Sequence, residues 1–225
     1  MPEEAKKIKR EGKLIKIITD KSEYLSKTLI IATGSRPRFL NVPGENEFKN
    51  KGVTYCATCD GPLFKDKTIA IIGGGNSALD AALQMIKISP KIYMINIAAG
   101  LTGDPVMIEK VIKSDRVEVL NNAQVKRIYG DAFVQGIEVQ QKTETLDLKL
   151  QGVFIEIGWI PNADFAKAVK KNDSAEIFVD DSNKTSVEGT FACGDVTNIR
   201  DKQIIVACGE GAKAALSAFR YLTGH

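Results

Sequence analysis

The chain has 225 residues, 44% of them hydrophobic and 26% charged, close to the average for globular proteins. This length allows one large domain or two smaller ones, each with a real core. Lys and Arg number 31 against 28 Asp and Glu, so the net charge of +3 argues against nucleic-acid binding. Residues 1–13 are charged and lack the apolar core of a secretory signal, and no apolar run approaches the ~20 residues of a membrane span. We expect a cytoplasmic protein.

The first third of the chain predicts short strands followed by a connector. Apolar runs, alternating or continuous, predict strands at residues 13–19, 22–26 and 28–32. Residues 39–47 (FLNVPGENE) carry Pro, Gly and Asn, and they predict a connector between domains. The segment VTYCATCDGPLF at 53–64 then brings two cysteines three positions apart.

Strands and helices alternate in the remainder. We predict strands at 68–72 and 91–97, helices at 76–88 and 105–113, a series of short strands over 117–157, a connector at 158–161, strands at 177–179 and 190–192, and a helix at about 203–222. This alternation predicts an α/β protein with layers around a parallel sheet.

Residues 68–78 (TIAIIGGGNSA) predict a dinucleotide site. A strand leads into Gly73-x-Gly75-x-x-Ala78 and a helix start. Gly73 allows a tight turn, Gly75 leaves room for a pyrophosphate, and Ala78 is small enough for the helix to pack on the strand. Unpaired N–H groups at the helix start would face the anion. An ordinary glycine turn is the alternative, but the following strand at the expected distance favours the dinucleotide site.

The end of the second strand should discriminate between the two nicotinamide cofactors. An acid there binds the 2′-hydroxyl of NAD, and arginines bind the 2′-phosphate of NADP. The chain has Asn96-Ile97-Ala98-Ala99, so neither the acid nor an arginine is present at this position. Asn96 could hydrogen-bond a ribose but could not neutralise a phosphate, which favours NADH.

Three interpretations compete for Cys56 and Cys59. Zinc needs four ligands, and the other candidates are two isolated cysteines and one C-terminal histidine. A structural disulfide closing a four-residue ring would contribute only about 2 kcal/mol. A dithiol that cycles is the interpretation that remains, with Asp60 as its proton donor or acceptor. Cys193 and Cys208 lie among small apolar residues and are expected to be buried.

Five segments together resemble the low-molecular-weight thioredoxin reductases and the flavoprotein subunit of alkyl hydroperoxide reductase, class II pyridine nucleotide-disulfide oxidoreductases. They are IIATGSRP, CATCDGPLF, GGGNSALDAA, GVFIEIGWIPN and FACGDVTNIRDKQIIVACGEGAKAALSAF. The match runs from about Leu29 to the C-terminus, in the family's order. The last segment and the Asp104 region are closer to the peroxide-reductase flavoprotein.

The resemblance implies a Rossmann-like NAD(P)-binding domain inserted into an incomplete FAD-binding domain. The NAD(P) domain would cover 39–157, and 1–38 with 158–225 would belong to the FAD domain. Electrons would pass from NADH or NADPH to FAD, then to the cysteine pair, and on to a thioredoxin-like or peroxiredoxin-system protein. Cys59 would face the flavin and Cys56 would exchange with the partner. A homodimer or a companion chain is expected.

The resemblance also implies a set of cofactor-binding residues. Gly194 and Asp195 would hold the ribityl and pyrophosphate part of FAD, Lys202, Gln203 and Ile204 would lie against the isoalloxazine, and Thr33 and Gly34 would lie near FAD. Gly73, Gly75, Asn76, Ser77, Asn96 and Gly158 complete the predicted cofactor-binding set, and no metal ligand is predicted.

The sequence departs from the family in two respects. The residues after the second strand lack the basic cluster of the reductases and the acid usual in the peroxide-reductase relatives. The N-terminal strand, GxGxxG turn and helix that hold the adenosine pyrophosphate of FAD are also absent. We therefore expect a fragment, a subunit completed by another chain, or self-association. The competing function is a nucleotide-binding fragment or split subunit that cannot hold FAD alone.

Overall fold

The computed structural model describes residues 3–224. Its strands are β1 (Ala5–Glu11), β2 (Leu14–Thr19), β3 (Glu23–Ser26), β4 (Leu29–Ile31), β5 (Ser35–Pro37), β6 (Val53–Thr54), β7 (Ile69–Ile72), β8 (Ile92–Asn96), β9 (Val117–Asn121), β10 (Ala123–Gly130), β11 (Val134–Gln141), β12 (Glu144–Lys149), β13 (Gly152–Ile155), β14 (Trp159–Pro161) and β15 (Thr190–Ala192). Its α-helices are α1 (Ala57–Asp60), α2 (Asn76–Met85), α3 (Pro105–Ile112) and α4 (Ile204–Thr223), with short 3₁₀ turns at Gly61–Phe64 and Gly194–Val196.

The chain divides into two compact units. The central unit is Pro37–Gly158, and the discontinuous unit joins the chain up to Arg36 with the stretch from Trp159 onward. The predicted α/β class is confirmed. The assignment of residues 1–38 and 158–225 to FAD and of residues 39–157 to NAD(P) stays a prediction.

A five-stranded parallel sheet forms the core of the central unit, in the order β6-β13-β7-β8-β9. All four residues of β7 and of β13 are buried, as expected for parallel strands covered on both faces. On one face, α2 packs its small residues Ala78 and Ala82 against Ile69 and Ile71 of β7. The antiparallel meander β10-β11-β12 covers the other face.

Local sequence explains where the two longer helices of the central unit begin. α2 starts directly after the glycine turn, with Gly75 in an extended conformation before it. α3 starts with Pro105 after Asp104, whose carboxylate accepts hydrogen bonds from the N–H groups of Val106 and Met107. Both an aspartate cap and a proline in the first turn are favourable at a helix start.

In the described part of the chain, the discontinuous unit contains three small sheets and one long helix. β1-β2-β3 form an antiparallel sheet, β4 pairs in parallel with β15, and β5 pairs with β14. α4 buries Ala214 and Ala218 in a cluster with Phe191 and Cys193. Among the described helices, none combines the length and apolar character that crossing a bilayer requires.

The element predictions failed at several places. The connector predicted at 158–161 contains β14 (Trp159–Pro161), which pairs with β5. The charged segment before Gly12 forms β1, which buries Ile8 and leaves most other side chains exposed, so it carries no apolar run. The predicted strand at 177–179 is wrong, because Ile177 makes only isolated bridges to Lys171 and Thr197. The helix predicted at 76–88 ends at Met85, whose carbonyl then accepts bonds from two later N–H groups.

Candidate functional site

Cys56 and Cys59 form a disulfide at the start of α1, with their Cα atoms 5.3 Å apart. Cys56 is the N-cap residue of this four-residue helix, and its Sγ accepts a hydrogen bond of 3.2 Å from the Cys59 N–H. Cys59 is exposed and Cys56 is half-buried. The sulfur that accepts the N–H bond would gain from it as a thiolate, since a donor at a helix start stabilises negative charge.

Asp60 lies beside the disulfide and has one specific partner. The hydroxyl of Thr54 donates to an Asp60 carboxylate oxygen. The Asp60 N–H donates to the Cys56 carbonyl at 3.1 Å, which holds the acid on the same turn as the cysteines. Sequence reasoning missed Thr54, although a threonine two residues before the first cysteine was a visible signal.

The disulfide turn is fixed to the parallel sheet through α2. Ala57 is buried in the cluster between α2 and the sheet, and the Thr58 hydroxyl donates to Gln84 of α2 at 3.3 Å. A side chain at Gly61 would lie 3.1 Å from the sulfur of Met85, so the helix and the turn pack closely. The two cysteines are therefore carried by the same unit as the glycine turn.

The glycine turn between β7 and α2 requires its first glycine. Gly73 has a φ of +140°, and a Cβ there would overlap the Glu156 carbonyl oxygen. Gly75 has an ordinary φ of −93°, and a Cβ there would meet no atom within 4 Å. Gly73 is thus required by the fold, whereas Gly75 borders open space in front of the first turn of α2.

A cavity of about 580 Å³ lies in front of the glycine turn, within the size range of ligand sites. It brings together six predicted cofactor-binding residues: Gly73, Gly75, Asn76, Ser77, Asn96 and Gly158. The remaining lining residues are Phe39, Leu40, Ile72, Gly74, Ile95, Ile97, Ala123, Gln124, Val125, Glu156 and Ile157. Glu156 is the single charged side chain among these described residues.

The Asn96 side chain is buried and engaged in its own loop. Its amide nitrogen donates to the carbonyls of Ala98 and Gly100, at 3.3 and 2.9 Å, and to the Asn121 side chain at 2.9 Å. A Cβ at Gly74 would lie 2.5 Å from the Asn96 Oδ1, so the two positions are packed together. Asn96 thus has a structural role that sequence reasoning did not identify.

Glu156 is a site residue that sequence reasoning missed. Its carboxylate accepts a hydrogen bond of 3.3 Å from the N–H of Ala57, the residue directly after Cys56. Burial raises the pKa of Glu156 to about 7, an effect opposed by the Ala57 bond and assisted by the negative charge of Asp80. The available signal was one acid in the otherwise apolar run VFIEIG.

The discontinuous unit gathers only part of the predicted flavin-binding set. Gly34, Gly194, Asp195 and Ile204 line a cavity of about 200 Å³ together with Ala32, Cys193 and Ala207. Thr33 lies outside this lining, and its hydroxyl donates to the Asn162 carbonyl at 2.6 Å.

Two further residues of the predicted flavin-binding set lie outside the smaller cavity. The Lys202 ammonium pairs with Glu176 at 2.8 Å and donates to the carbonyls of Asp195 and Thr197. Gln203 is the N-cap residue of α4.

The other two cysteines differ in exposure. Cys193 is buried, and burial, followed by the charge of Glu210, raises the pKa of its thiol. Cys208 is exposed on α4, so the expectation that it is buried is wrong. Cys193 therefore has the features of an inert core residue, whereas Cys208 is accessible to thiol reagents.

Comparison with known proteins confirms the resemblance. The family model described as pyridine nucleotide-disulphide oxidoreductase matches residues 2–211, so the chain belongs to this family. An NADH dehydrogenase of Bacillus subtilis strain 168 is 48% identical over 200 residues, which is 88% of this chain and 39% of that protein. The F subunit of alkyl hydroperoxide reductase from Escherichia coli K12 is 42% identical over 217 residues, which is 94% of this chain and 42% of that protein.

A solved structure supports the same assignment. The thioredoxin reductase of Streptococcus pyogenes MGAS5005 is 32% identical, with a TM-score of 0.91, over 98% of this chain and 74% of that one. The chain thus spans about two fifths of the length of the curated relatives named above.

Proposed function

We propose that the chain is the dithiol-carrying part of a flavin-dependent disulfide reductase. Electrons from NAD(P)H would pass through FAD to the Cys56–Cys59 disulfide and then to a small redox protein. The observation that carries the proposal is the Cys56–Cys59 disulfide on α1, in the same unit as a glycine turn that opens onto a cavity of about 580 Å³. Membership of the pyridine nucleotide-disulphide oxidoreductase family supports it.

The larger cavity fits a dinucleotide. Gly75 faces space that a side chain would fill, and α2 directs the N–H groups of its first turn there. We expect Asn76 and Ser77 to donate their backbone N–H groups to the pyrophosphate. The lining residues that the structure describes include no Lys or Arg to neutralise a 2′-phosphate, which favours NADH over NADPH.

The smaller cavity in the discontinuous unit fits one portion of FAD. Its volume of about 200 Å³ is below the usual range for a whole ligand. Gly34 has a φ of +64° and no atom within 4 Å of a Cβ position, so its backbone is open to a close approach. We expect Gly34, Gly194 and Asp195 to contact the bound flavin nucleotide, and Ile204 to supply an apolar surface.

The cysteine pair would act as a two-electron carrier. When bound, a nicotinamide and a flavin would supply two electrons in the form of a hydride. Breaking the Cys56–Cys59 bond consumes two electrons and two protons and yields two thiols. The Cys56 thiolate then attacks the disulfide of the partner and forms a mixed disulfide, and Cys59 displaces the partner dithiol as the Cys56–Cys59 bond forms again.

Asp60 is placed to exchange the protons of this cycle. It stands on the same turn as both cysteines, and Thr54 fixes its carboxylate. A positioned carboxyl group can accept the proton that leaves a thiol and return it to the departing thiolate. We propose a thioredoxin-like or peroxiredoxin-system protein as the partner.

Association with a second chain also stays a prediction. α4 exposes Ile205, Phe219 and Leu222, with exposed fractions of 80%, 61% and 52%. Apolar side chains this exposed support association with a copy of the chain or with a companion chain.

The direct experiment compares the purified chain with its C56S variant. We expect a flavin absorbance spectrum, bleaching on anaerobic addition of NADH, and two new thiols per chain. In C56S, NADH should still bleach the flavin absorbance, but electrons should no longer pass to a thioredoxin or a peroxiredoxin-system protein. A colourless chain that still binds NADH would instead support the nucleotide-binding fragment, and flavin uptake only with a companion chain would support a split reductase.

A further inference from the structure

Glu156 is the one charged side chain among the described residues that line the cavity in which we propose that a dianionic pyrophosphate binds. It lies on the segment after β13, and its backbone carbonyl occupies the space that a side chain at Gly73 would need. The same residue therefore contacts the glycine turn through its backbone and the disulfide turn through its carboxyl group.

No positive side chain compensates this carboxylate within the described cavity lining. Among the described residues, the donor to this carboxylate is the Ala57 N–H, at 3.3 Å. On α2, the charge that acts on it is that of Asp80, whose carboxylate accepts a bond of 2.8 Å from Gln84. On α1, Asp60 is a further acid, held by Thr54. An ionised Glu156 would place a negative charge in the same cavity as the negatively charged pyrophosphate of the dinucleotide.

We propose that Glu156 makes dinucleotide binding in this cavity proton-coupled, with the carboxyl group taking up one proton as the pyrophosphate enters. The inference rests on the dinucleotide site of the proposed function and names the residue that tunes its affinity. A protonated Glu156 can donate a hydrogen bond to the ligand, whereas the carboxylate can only accept one. The Ala57 bond can persist in both states, because a protonated carboxyl group keeps an acceptor oxygen.

The electrostatics of the site support this coupling. Burial, together with Asp80, raises the pKa of Glu156 to about 7, so the free site changes charge close to neutral pH. A bound anion would raise that pKa further, because it disfavours the carboxylate. Affinity for the dinucleotide should therefore fall as pH rises through the pKa of the free site.

The test measures NADH binding by calorimetry on the full chain, without turnover. Given a free-site pKa of about 7, we expect the dissociation constant to rise about tenfold between about pH 6 and about pH 8. Measurements in buffers of different ionisation enthalpy should show net proton uptake. E156Q, which keeps an acceptor for Ala57, should bind at the higher pH as tightly as the unmodified chain binds at the lower pH.

A matched variant, D80N, tests whether the proton taken up on binding goes to Glu156. D80N should retain the pH dependence and move its midpoint to lower pH, because one charge that raises the pKa is removed. A dependence that persists in E156Q, or one that vanishes in D80N, would overturn the inference, as would a pH-independent affinity in the unmodified chain. Circular dichroism should show that both variants fold. Absence of NADH binding at every pH would overturn the proposed dinucleotide site as well, which separates the two failures.

Discussion

The hydroxyl of Thr54 donates a hydrogen bond to the carboxylate of Asp60, the residue directly after Cys59. Thr54 ends β6 at the edge of the parallel sheet, and Asp60 ends α1, so this bond ties the disulfide turn to the sheet. We expect an acid held in this way to keep its position while the cysteines change between disulfide and dithiol. This position is what proton exchange with the thiols requires.

Replacing Asp60 with Asn should slow thiol–disulfide exchange. We expect D60N to lower the rate at which the reduced chain attacks a small disulfide, 5,5′-dithiobis(2-nitrobenzoate), by about 100-fold. A loss of this size is usual when an acid–base group is removed. The measurement is a single-turnover reaction in a C208S background, which removes the exposed thiol. T54V retains the acid, so its rate of exchange should fall by less than that of D60N. Equal rates for D60N and the parent over the whole pH range would contradict a proton-transfer role.

Substitutions at two glycines of the same turn, Gly73 and Gly75, should separate effects on folding from effects on binding. G73A places a side chain at a φ of +140° against the Glu156 carbonyl, and it should lower the free energy of unfolding by about 1–3 kcal/mol or more. G75A has an ordinary φ and open space, so its urea unfolding should match the parent. Its NADH affinity should nevertheless fall by about tenfold or more, because the methyl group occupies the approach of the pyrophosphate. Normal NADH binding by G75A would exclude this placement of the ligand.

Asn96→Asp should destabilise the central unit and should not improve NADH binding. The Asn96 amide nitrogen donates to three oxygen atoms, and a carboxylate would face them without a hydrogen to share. We expect a loss of about 1–3 kcal/mol in urea unfolding. N121D is the matched control, because its carboxylate can still accept from Asn96, and it should lose less. A stable N96D with higher NADH affinity would show that this side chain reaches the ribose.

Glu156→Gln should stabilise the chain at alkaline pH. The folded-state pKa of about 7 lies above the ordinary value of 4.5, so ionisation of Glu156 opposes folding. Stability is therefore lost as pH rises from the unfolded-state pKa through the folded-state pKa, and the full cost applies above both. E156Q should gain about 3 kcal/mol at about pH 8.5 in chemical unfolding and nothing near pH 4. A gain that is the same at both pH values would contradict the shifted titration.

Much of the central sheet could be predicted because its strands and turns are determined by short stretches of sequence. The run TIAII is continuous and apolar, as is typical of a strand covered on both faces. The glycines that follow it predict the turn. The cysteine spacing likewise identified the dithiol. The charged strand β1 was not predictable, because it buries Ile8 and little else.

The missed site residues depend on tertiary contacts. Asn96 is held by Asn121, twenty-five residues later, and that partnership exists only because β8 and β9 pair in parallel. The pKa of Glu156 depends on its burial and on Asp80 of α2. Strand propensity also failed at Ile177, where only isolated bridges form.

The most direct test of the central claim is the redox titration of Cys56 and Cys59 in the full chain. Equilibration with dithiothreitol mixtures of increasing reducing power, followed by alkylation and mass spectrometry, reports each cysteine separately. We predict that these two cysteines gain alkyl groups together in one reversible two-electron transition, while Cys208 reacts throughout and Cys193 stays protected. Modification that is independent of the dithiothreitol ratio, or a pair that remains unreactive because it holds a metal ion, would contradict the account.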